Sequence, residues 1–421
     1  MGGMNKAVCG FLCLFLLRAA VAQQPSSLLL ECEQALVHQG FENISLAAAG
    51  EDTLYVDYEN RVFRNEVTAA GVVLAALNEK LANVEVVALT PRNRDLAICT
   101  IYVPLSAYRE FISGGLEARA LAEALVMDKG HGALSTAQQT SRAESSFGRV
   151  DVTVRPGVAF QLGNYDDRLK INLNLLPELS ATLWRGGRLL VQALVPLHDE
   201  IGLYTNEVRL SRAVLNQWLR LPGDGFASVS VGGFYPDRYG AAAECGYYFF
   251  DRHVHLGAAA EYSGFLLYQD KKWNYSDPGR WTYRTHAKYI FSRIDLIVGV
   301  QYAEYLHEDH GWQLEATRIW GDAEVGVYGA KTNVDRFGGV RLKIPLPPKR
   351  SSRPARLRVT SPGYLQLGYQ ATNEVYTIGG PVETGVTVST GHDLMDLPKR
   401  LLPGYIRNNL GLWKKATGYL R

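Results

Sequence analysis

Nine histidines occur in 421 residues, and few of them sit in the company that acid–base, nucleophilic or metal chemistry requires. His307-Glu308-Asp309-His310 puts four ligand-type side chains in a row. Its histidines are three apart, however, not the four that bring both onto one helix face in an H-E-x-x-H zinc site. The run also falls between two alternating segments, where a hydrophilic loop belongs. Gly329-Ala-Lys331-Thr332 carries Ala where a P-loop needs its second Gly, and no helix follows it. No G-x-S-x-G elbow occurs, although other serine hydrolases do without one. His255 with Glu261, or His286 with nearby serines, could imitate outer-membrane hydrolase chemistry. A lone histidine on a polar strand face more often lines an aqueous interior. The expectation is a protein that is not an enzyme, with no catalytic residue, no cofactor and no metal.

The elements that carry these side chains alternate with a period of two from Val152 onward. Val152, Val154, Val158, Phe160 and Leu162 share one face, and Thr153, Arg155 and Gln161 the other. Leu169, Ile171, Leu173 and Leu175 alternate with Lys170, Asn172 and Asn174. Ala241 to Phe249 opposes a face with Glu244, and Val254 to Tyr262 one with His255, Glu261 and Ser263. Trp281, Tyr283, Tyr289 and Phe291 oppose Arg284, His286 and Lys288. Further runs start near Thr205, Ala227, Ile294, Trp312, Ala323 and Val340.

A soluble sandwich would bury the apolar faces between sheets; a transmembrane barrel would turn them to lipid. The runs are about nine to eleven residues long, as a tilted spanning strand needs. Trp184, Trp218, Phe234, Tyr262, Trp281, Trp312 and Trp320 sit at run ends, where aromatic girdles belong. The mid-strand charges are too many for a dry core. The fold class expected is mainly β: an antiparallel outer-membrane β-barrel over 150–370, preceded by a small α+β periplasmic domain. The inward, pore-lining set is then Arg155, Lys170, Arg209, Glu244, His255, Glu261, Arg284, His286, Lys288, Glu315 and Glu324. Both signs of charge suit the passage of polar or charged glycans, with Tyr248 and Phe250 as stacking surfaces.

Residues 1–22 read as a signal peptide: Lys6, an apolar run over Ala7 to Leu17, and Ala20-Val21-Ala22 before a mature start at Gln23. Residues 25–125 have α+β rhythm, with Val67, Ala70, Leu74, Leu77 and Leu81 forming a helical stripe. Of Cys32, Cys99 and Cys245, the first two could pair, but free thiols acting as small core residues fit better. Residues 126–149 read as a linker, rich in Gly, Ser, Thr and Gln. Residues 371–421 read as a basic tail with short helical pieces, either solvated or set against an acidic partner or lipid headgroups. The net charge of +2 gives no general drive toward nucleic acid, and no nucleic-acid partner is expected.

Leu54-Tyr-Val-Asp-Tyr-Glu-Asn-Arg-Val-Phe-Arg-Asn-Glu66, the helix after it, and Ile101 to Gly114 resemble the N-terminal domain of the YjbH family. Gln217-Trp-Leu-Arg-Leu-Pro222, Val229 to Gly240 and on to Glu261, and Phe337 to Pro345 resemble its barrel segment. The resemblance implies a bacterial outer-membrane barrel tied to exopolysaccharide or capsule export or assembly. Its expected partners are outer-membrane lipid, polysaccharide and, through residues 25–125, periplasmic export proteins. A general porin or structural outer-membrane protein is the alternative, and a lipid or glycan hydrolase a third reading.

Overall fold

The computed structural model describes residues 27–49, 52–129, 138–139, 142–162, 169–201, 207–269, 271–372 and 389–420. The expected signal peptide lies outside them. The N-terminal part contains α1 (Ser27–Gln39), β1 (Glu42–Ala49), β2 (Thr53–Glu59), α2 (Glu66–Asn78), β3 (Val86–Asn93), β4 (Leu96–Ala97) and β5 (Thr100–Pro104). It continues with α3 (Leu105–Ser113), α4 (Ala118–Ala124), β6 (Val126–Asp128) and β7 (Gln138–Gln139). These strands form one sheet in the order β6-β5-β3-β2-β1-β7, with β4 on β3. β2 and β3 are parallel, so the chain must cross over between them, and α2 is that crossover. Asn65 caps α2 by accepting from the Val67 amide at 2.9 Å. The stripe Val67, Ala70, Leu74, Leu77 and Leu81 is buried throughout.

One expectation is corrected here and one is met. Of residues 126–149, expected as a linker, those that are described add to this sheet: β6 pairs with β5, β7 with β1, and Ala143 bridges Ile44. Cys32 and Cys99 are both buried and free, so no bridge joins them.

A second sheet follows, built from β8 (Val150–Leu162), β9 (Leu169–Trp184), β10 (Gly187–Asp199), β11 (Arg209–Leu221), β12 (Gly225–Phe234), β13 (Arg238–Phe249) and β14 (Val254–Gln269). It goes on through β15 (Lys272–Tyr275), β16 (Arg280–Phe291), β17 (Leu296–Glu304), β18 (His310–Trp320), β19 (Ala323–Thr332), β20 (Arg336–Pro345), β21 (Leu357–Thr360) and β22 (Tyr364–Thr372). Each long strand pairs antiparallel with the next, from β8 round to β22, and the short β15 sits off β14. β21 pairs parallel with β8. β8 and β22 come within contact distance, and Phe160 of β8 stacks on Tyr369 of β22 with ring centroids 6.0 Å apart. The two end strands therefore meet through side chains; no hydrogen-bonded ladder joins them among the described residues.

Burial along this sheet is inverted relative to a water-soluble protein. On β9, Leu173, Leu175, Leu179 and Leu183 are 37–48% exposed, whereas Asn172, Asn174, Glu178, Ser180 and Thr182 between them are at most 8% exposed. The same inversion separates exposed Leu256 from buried His255, and exposed Val325 and Val327 from buried Glu324. Exposed aromatics lie at both rims: Trp184, Phe291 and Trp320 at one, Tyr262, Trp281 and Trp312 at the other. From Trp281 to Phe291 on β16, about ten steps at about 3.3 Å cover about 33 Å of strand. A tilt of about 40° reduces that to about 25 Å of height, the apolar band of a spanning barrel. Trp218 and Phe234, expected in the girdles, are instead 3% and 1% exposed and face inward.

The chain closes with α5 (Asp396–Arg400), α6 (Pro403–Asn409) and α7 (Gly411–Ala416). They are not a solvated tail. Leu401, Tyr405, Leu410 and Trp413 are buried in one core with α2 and with inward residues of the sheet such as Trp218, Phe226 and Ile319. The Trp413 indole donates to the Val67 carbonyl at 2.9 Å.

Candidate functional site

The turns joining β9–β10, β11–β12, β13–β14, β16–β17 and β18–β19 are all short and share one end, and each is held by the N-terminal domain, the C-terminal helices or a neighbouring turn. Gly186 donates to the Arg94 carbonyl at 2.8 Å. Asp224 takes a two-pronged contact from Arg252 of the next turn, at 2.7 Å on each oxygen, and Arg252 also donates to the Ile98 carbonyl at 3.0 Å. Asn408 donates to the Ser292 carbonyl at 2.9 Å. Asp322 accepts from Arg64 and Asn65, both at 2.6 Å, while the Tyr405 hydroxyl donates to the Gly321 carbonyl at 2.9 Å. The domain and the helices together therefore cap that mouth of the sheet.

The enclosed polar face carries all eleven charged or histidine side chains singled out from the sequence. Arg155 meets Glu178 at 3.1 Å, and Arg209 meets Asp237 at 3.5 Å. Lys170 lies on the face of Asn172 and Asn174. Arg284 stands between Glu244 and Glu261, 3.6 Å from each. Lys288 meets Glu315 at 2.8 Å, and Arg341 approaches Glu315 from the other side at 3.7 Å. Glu324 draws in Arg400 at 2.5 Å, Lys399 at 3.1 Å and Lys343 at 3.6 Å. His255 and His286 stack with centroids 5.1 Å apart, with Tyr248 against His255 at 4.6 Å. His286 Nε2 lies 3.1 Å from His255 Nδ1. Tyr248 joins this face, but Phe250 lies on a turn and is 78% exposed.

Sequence reasoning missed two features. One is Arg94, 3% exposed, on the turn between β3 and β4. Its guanidinium bonds Asn216 Oδ1, lies over the Trp218 ring at 4.7 Å and reaches His392 Nδ1 at 3.0 Å. Turn composition gave no signal that this arginine enters the sheet. The other is the segment 389–395. Ser389 exchanges backbone hydrogen bonds with Tyr235 at 2.7 and 3.2 Å, and Arg212 donates to its hydroxyl at 3.3 Å. Leu394 and Met395 are then buried in the capping core. This segment runs through the enclosed space from the level of the β12–β13 turn to the cap.

His307 to His310 form a tight turn at the opposite rim, where Glu308 pairs with Arg280 at 2.6 Å. No group of three metal-ligating side chains is found among the described residues, and none of their helices is long and apolar enough to cross a membrane.

The YjbH family model, described as "Exopolysaccharide biosynthesis protein YbjH", matches residues 18–359. No curated protein matches the chain. Among solved structures it is similar to OmpTdeltaL8, a loop L8 deletion mutant of OmpT, an outer membrane protein of Vibrio cholerae. The identity is 8% and the TM-score 0.26, over 46% of this chain and 87% of that one.

Proposed function

The chain belongs to the YjbH family of exopolysaccharide biosynthesis proteins, and from that premise we propose that it is an outer-membrane β-barrel taking part in exopolysaccharide export or assembly. The observation that carries the reading is the inverted sheet, with leucines outward and asparagines, glutamates and serines enclosed. Water solvates the first set poorly and lipid the second, so the arrangement is favourable only with hydrocarbon outside. The end strands meeting at Phe160 and Tyr369 support closure into a barrel. The five hairpin turns at the capped end are short, whereas the other end also carries the longer β10–β11 and β14–β16 connections. Short turns belong on the periplasmic side of such barrels, so the cap of N-terminal domain and C-terminal helices is assigned to the periplasm, where export proteins would dock.

A freely conducting porin fits less well. Its lumen is an open aqueous channel, whereas here residues 389–395 and a paired charge lattice occupy the interior. The proposed role involves no catalytic step.

Deletion of the gene in a strain that makes exopolysaccharide tests this. The expected result is loss of surface polymer with synthesis retained and polymer held inside the cell. Unchanged surface polymer would refute the role. Fractionation with outer membranes and heat-modifiable gel migration should accompany it.

A further inference from the structure

Three arginines near the cap have no carboxylate partner, unlike most strand cations of the enclosed face. Arg94, Arg188 and Arg212 form no ion pair within 4 Å among the described residues. By contrast Arg155, Arg284, Lys288, Arg341 and Lys343 each have one. The three belong to one neighbourhood. Arg188 is cross-strand from Asn216, whose amide oxygen accepts from Arg94. Arg94 bonds His392, and Arg212 bonds Ser389 three residues earlier. A side chain built on Gly391 would meet Arg212 Nη1 at 3.4 Å.

What these guanidiniums touch is neutral. Arg188 donates to the Ser180 hydroxyl at 2.8 Å, and the remaining partners are an amide, a hydroxyl and an imidazole. Arg94 Nε, Arg212 Nε and His392 Nε2 are buried with no hydrogen-bond partner at all. The two nearest carboxylates are already committed. Glu178 is held by Arg155 and by Gln192 at 3.0 Å. Glu59 accepts the backbone amides of Arg94 and Asp95 at 2.9 and 3.1 Å.

Those two amides belong to a turn with both residues left-handed, φ 51° and 64°, a conformation that Asp95 tolerates but that residues other than Gly, Asn and Asp, here Arg94, resist. Glu59 thus fixes a strained turn that drives Arg94 into the barrel mouth. Burying positive charge without a counter-ion is unfavourable, and the strain adds to that cost. A docking anion would offset both.

We propose that Arg94, Arg188 and Arg212 form a subsite for the carboxylate of an acidic saccharide, with Ser389–His392 as its displaceable occupant. Planar guanidiniums suit a carboxylate through paired parallel hydrogen bonds. The surrounding Ser180, Gln192, Asn216, Ser228 and Ser230 supply donors and acceptors for ring hydroxyls. His392 fills the place with one neutral lone pair, so an anion displacing it gains charge pairing that the imidazole cannot give. The proposal rests on the glycan reading above and names the class of glycan.

Calorimetric titration of the full-length protein in detergent micelles, at low and high salt, tests it with three probes: oligogalacturonate, a neutral malto-oligosaccharide and inorganic phosphate. Oligogalacturonate should bind best, and less tightly as salt rises. Arg188→Gln and Arg212→Gln should each weaken it about tenfold to a hundredfold, the range for one hydrogen bond to a charged group. Both variants should keep wild-type heat-modifiable migration, since neither arginine holds a turn of the cap. Equal binding of the neutral oligosaccharide would overturn the acidic subsite while leaving a glycan barrel standing. Phosphate binding as tightly as oligogalacturonate would reduce it to a simple anion site and overturn the saccharide class. Unchanged affinity in both variants, or no binding of any probe, would also overturn the assignment. The export role itself is judged separately by the deletion strain.

Discussion

Trp413→Ala should detach the C-terminal helices from the N-terminal domain while the second sheet stays folded. The indole is fully buried, packs edge-on to Tyr108 at 6.0 Å and donates to the Val67 carbonyl at 2.9 Å. It fits against Gly71, where a Cβ would lie 2.7 Å from its Cδ1, so α2 has no side chain ready to fill the hole. Truncating a buried tryptophan costs about 3–5 kcal/mol. A value of about 4 kcal/mol raises the undocked population about a thousandfold. Trypsin can report it, because Arg407, Lys414 and Lys415 lie on these helices. With a C-terminal epitope, the cleavage rate should rise steeply in Trp413→Ala while heat-modifiable migration persists. Trp320→Ala is the control. That ring is 78% exposed at the rim, and its loss in detergent should change stability by no more than about 0.5 kcal/mol. Equal protection of the epitope in Trp413→Ala and wild type would refute the shared core.

Leu256→Arg places a charge on the exposed face and should cost about 2–4 kcal/mol near the midplane. Glu244→Gln on the enclosed face leaves Arg284 paired with Glu261 at 3.6 Å and should cost less, and urea titration of the folded gel band in liposomes compares them. Arg284→Glu puts a third carboxylate beside Glu244 and Glu261, both 3.6 Å from the native guanidinium, and should lower folded yield. Glu244→Arg in the same chain should restore it, with a coupling of about 0.5–3 kcal/mol; no rescue would mean the side chains do not meet. Burial pushes the Glu66 carboxyl from its ordinary 4.5 up to about 8, against a hydrogen bond from Asn60. Its folded form prefers the proton, so its contribution to cap stability is complete below about pH 4.5 and fades as pH rises through about 8. Tryptic protection should fall across that window in wild type and stay flatter in Glu66→Gln.

The strands were legible because a two-residue period puts every second side chain on one face. That rule alone assigns Glu244, Glu261 and Arg284 together, and the structure brings them within ion-pair distance. The helical stripe of Val67 to Leu77 was equally plain. Tertiary context hid the rest. Trp218 and Phe234 sit at strand ends like girdle residues, yet the cap and the enclosed core supply apolar partners that draw them inward. The C-terminal tail looked solvated because it is basic, but two of its cations, Lys399 and Arg400, are taken up by Glu324 on β19. Stretch 142–149 lacks apolar periodicity because its anchor is polar: Ser146 is buried against Asn43, whose amide donates to its hydroxyl at 2.8 Å. No local pattern can announce contacts between residues a hundred positions apart.

The cap and the segment 389–392, which both cover the enclosed face of the second sheet, differ in what holds them. The cap rests on Trp413, Tyr405 and Leu410 in a continuous core, and on charged contacts at Asp322 and Asp224. Displacing it would expose fully buried aromatics, at several kcal/mol for each large side chain. Residues 389–392 rest on two backbone hydrogen bonds to Tyr235, the Arg212–Ser389 contact and the Arg94–His392 contact. Each such bond contributes about 0.5–1.5 kcal/mol net, or about 1.5–3 kcal/mol when the donor is charged. A ligand with its own oxygens can replace all of them without exposing apolar surface. Any polymer acting on this lumen would therefore displace the strand-like segment first and leave the cap seated. The arginines that segment touches are then the charges such a polymer would uncover.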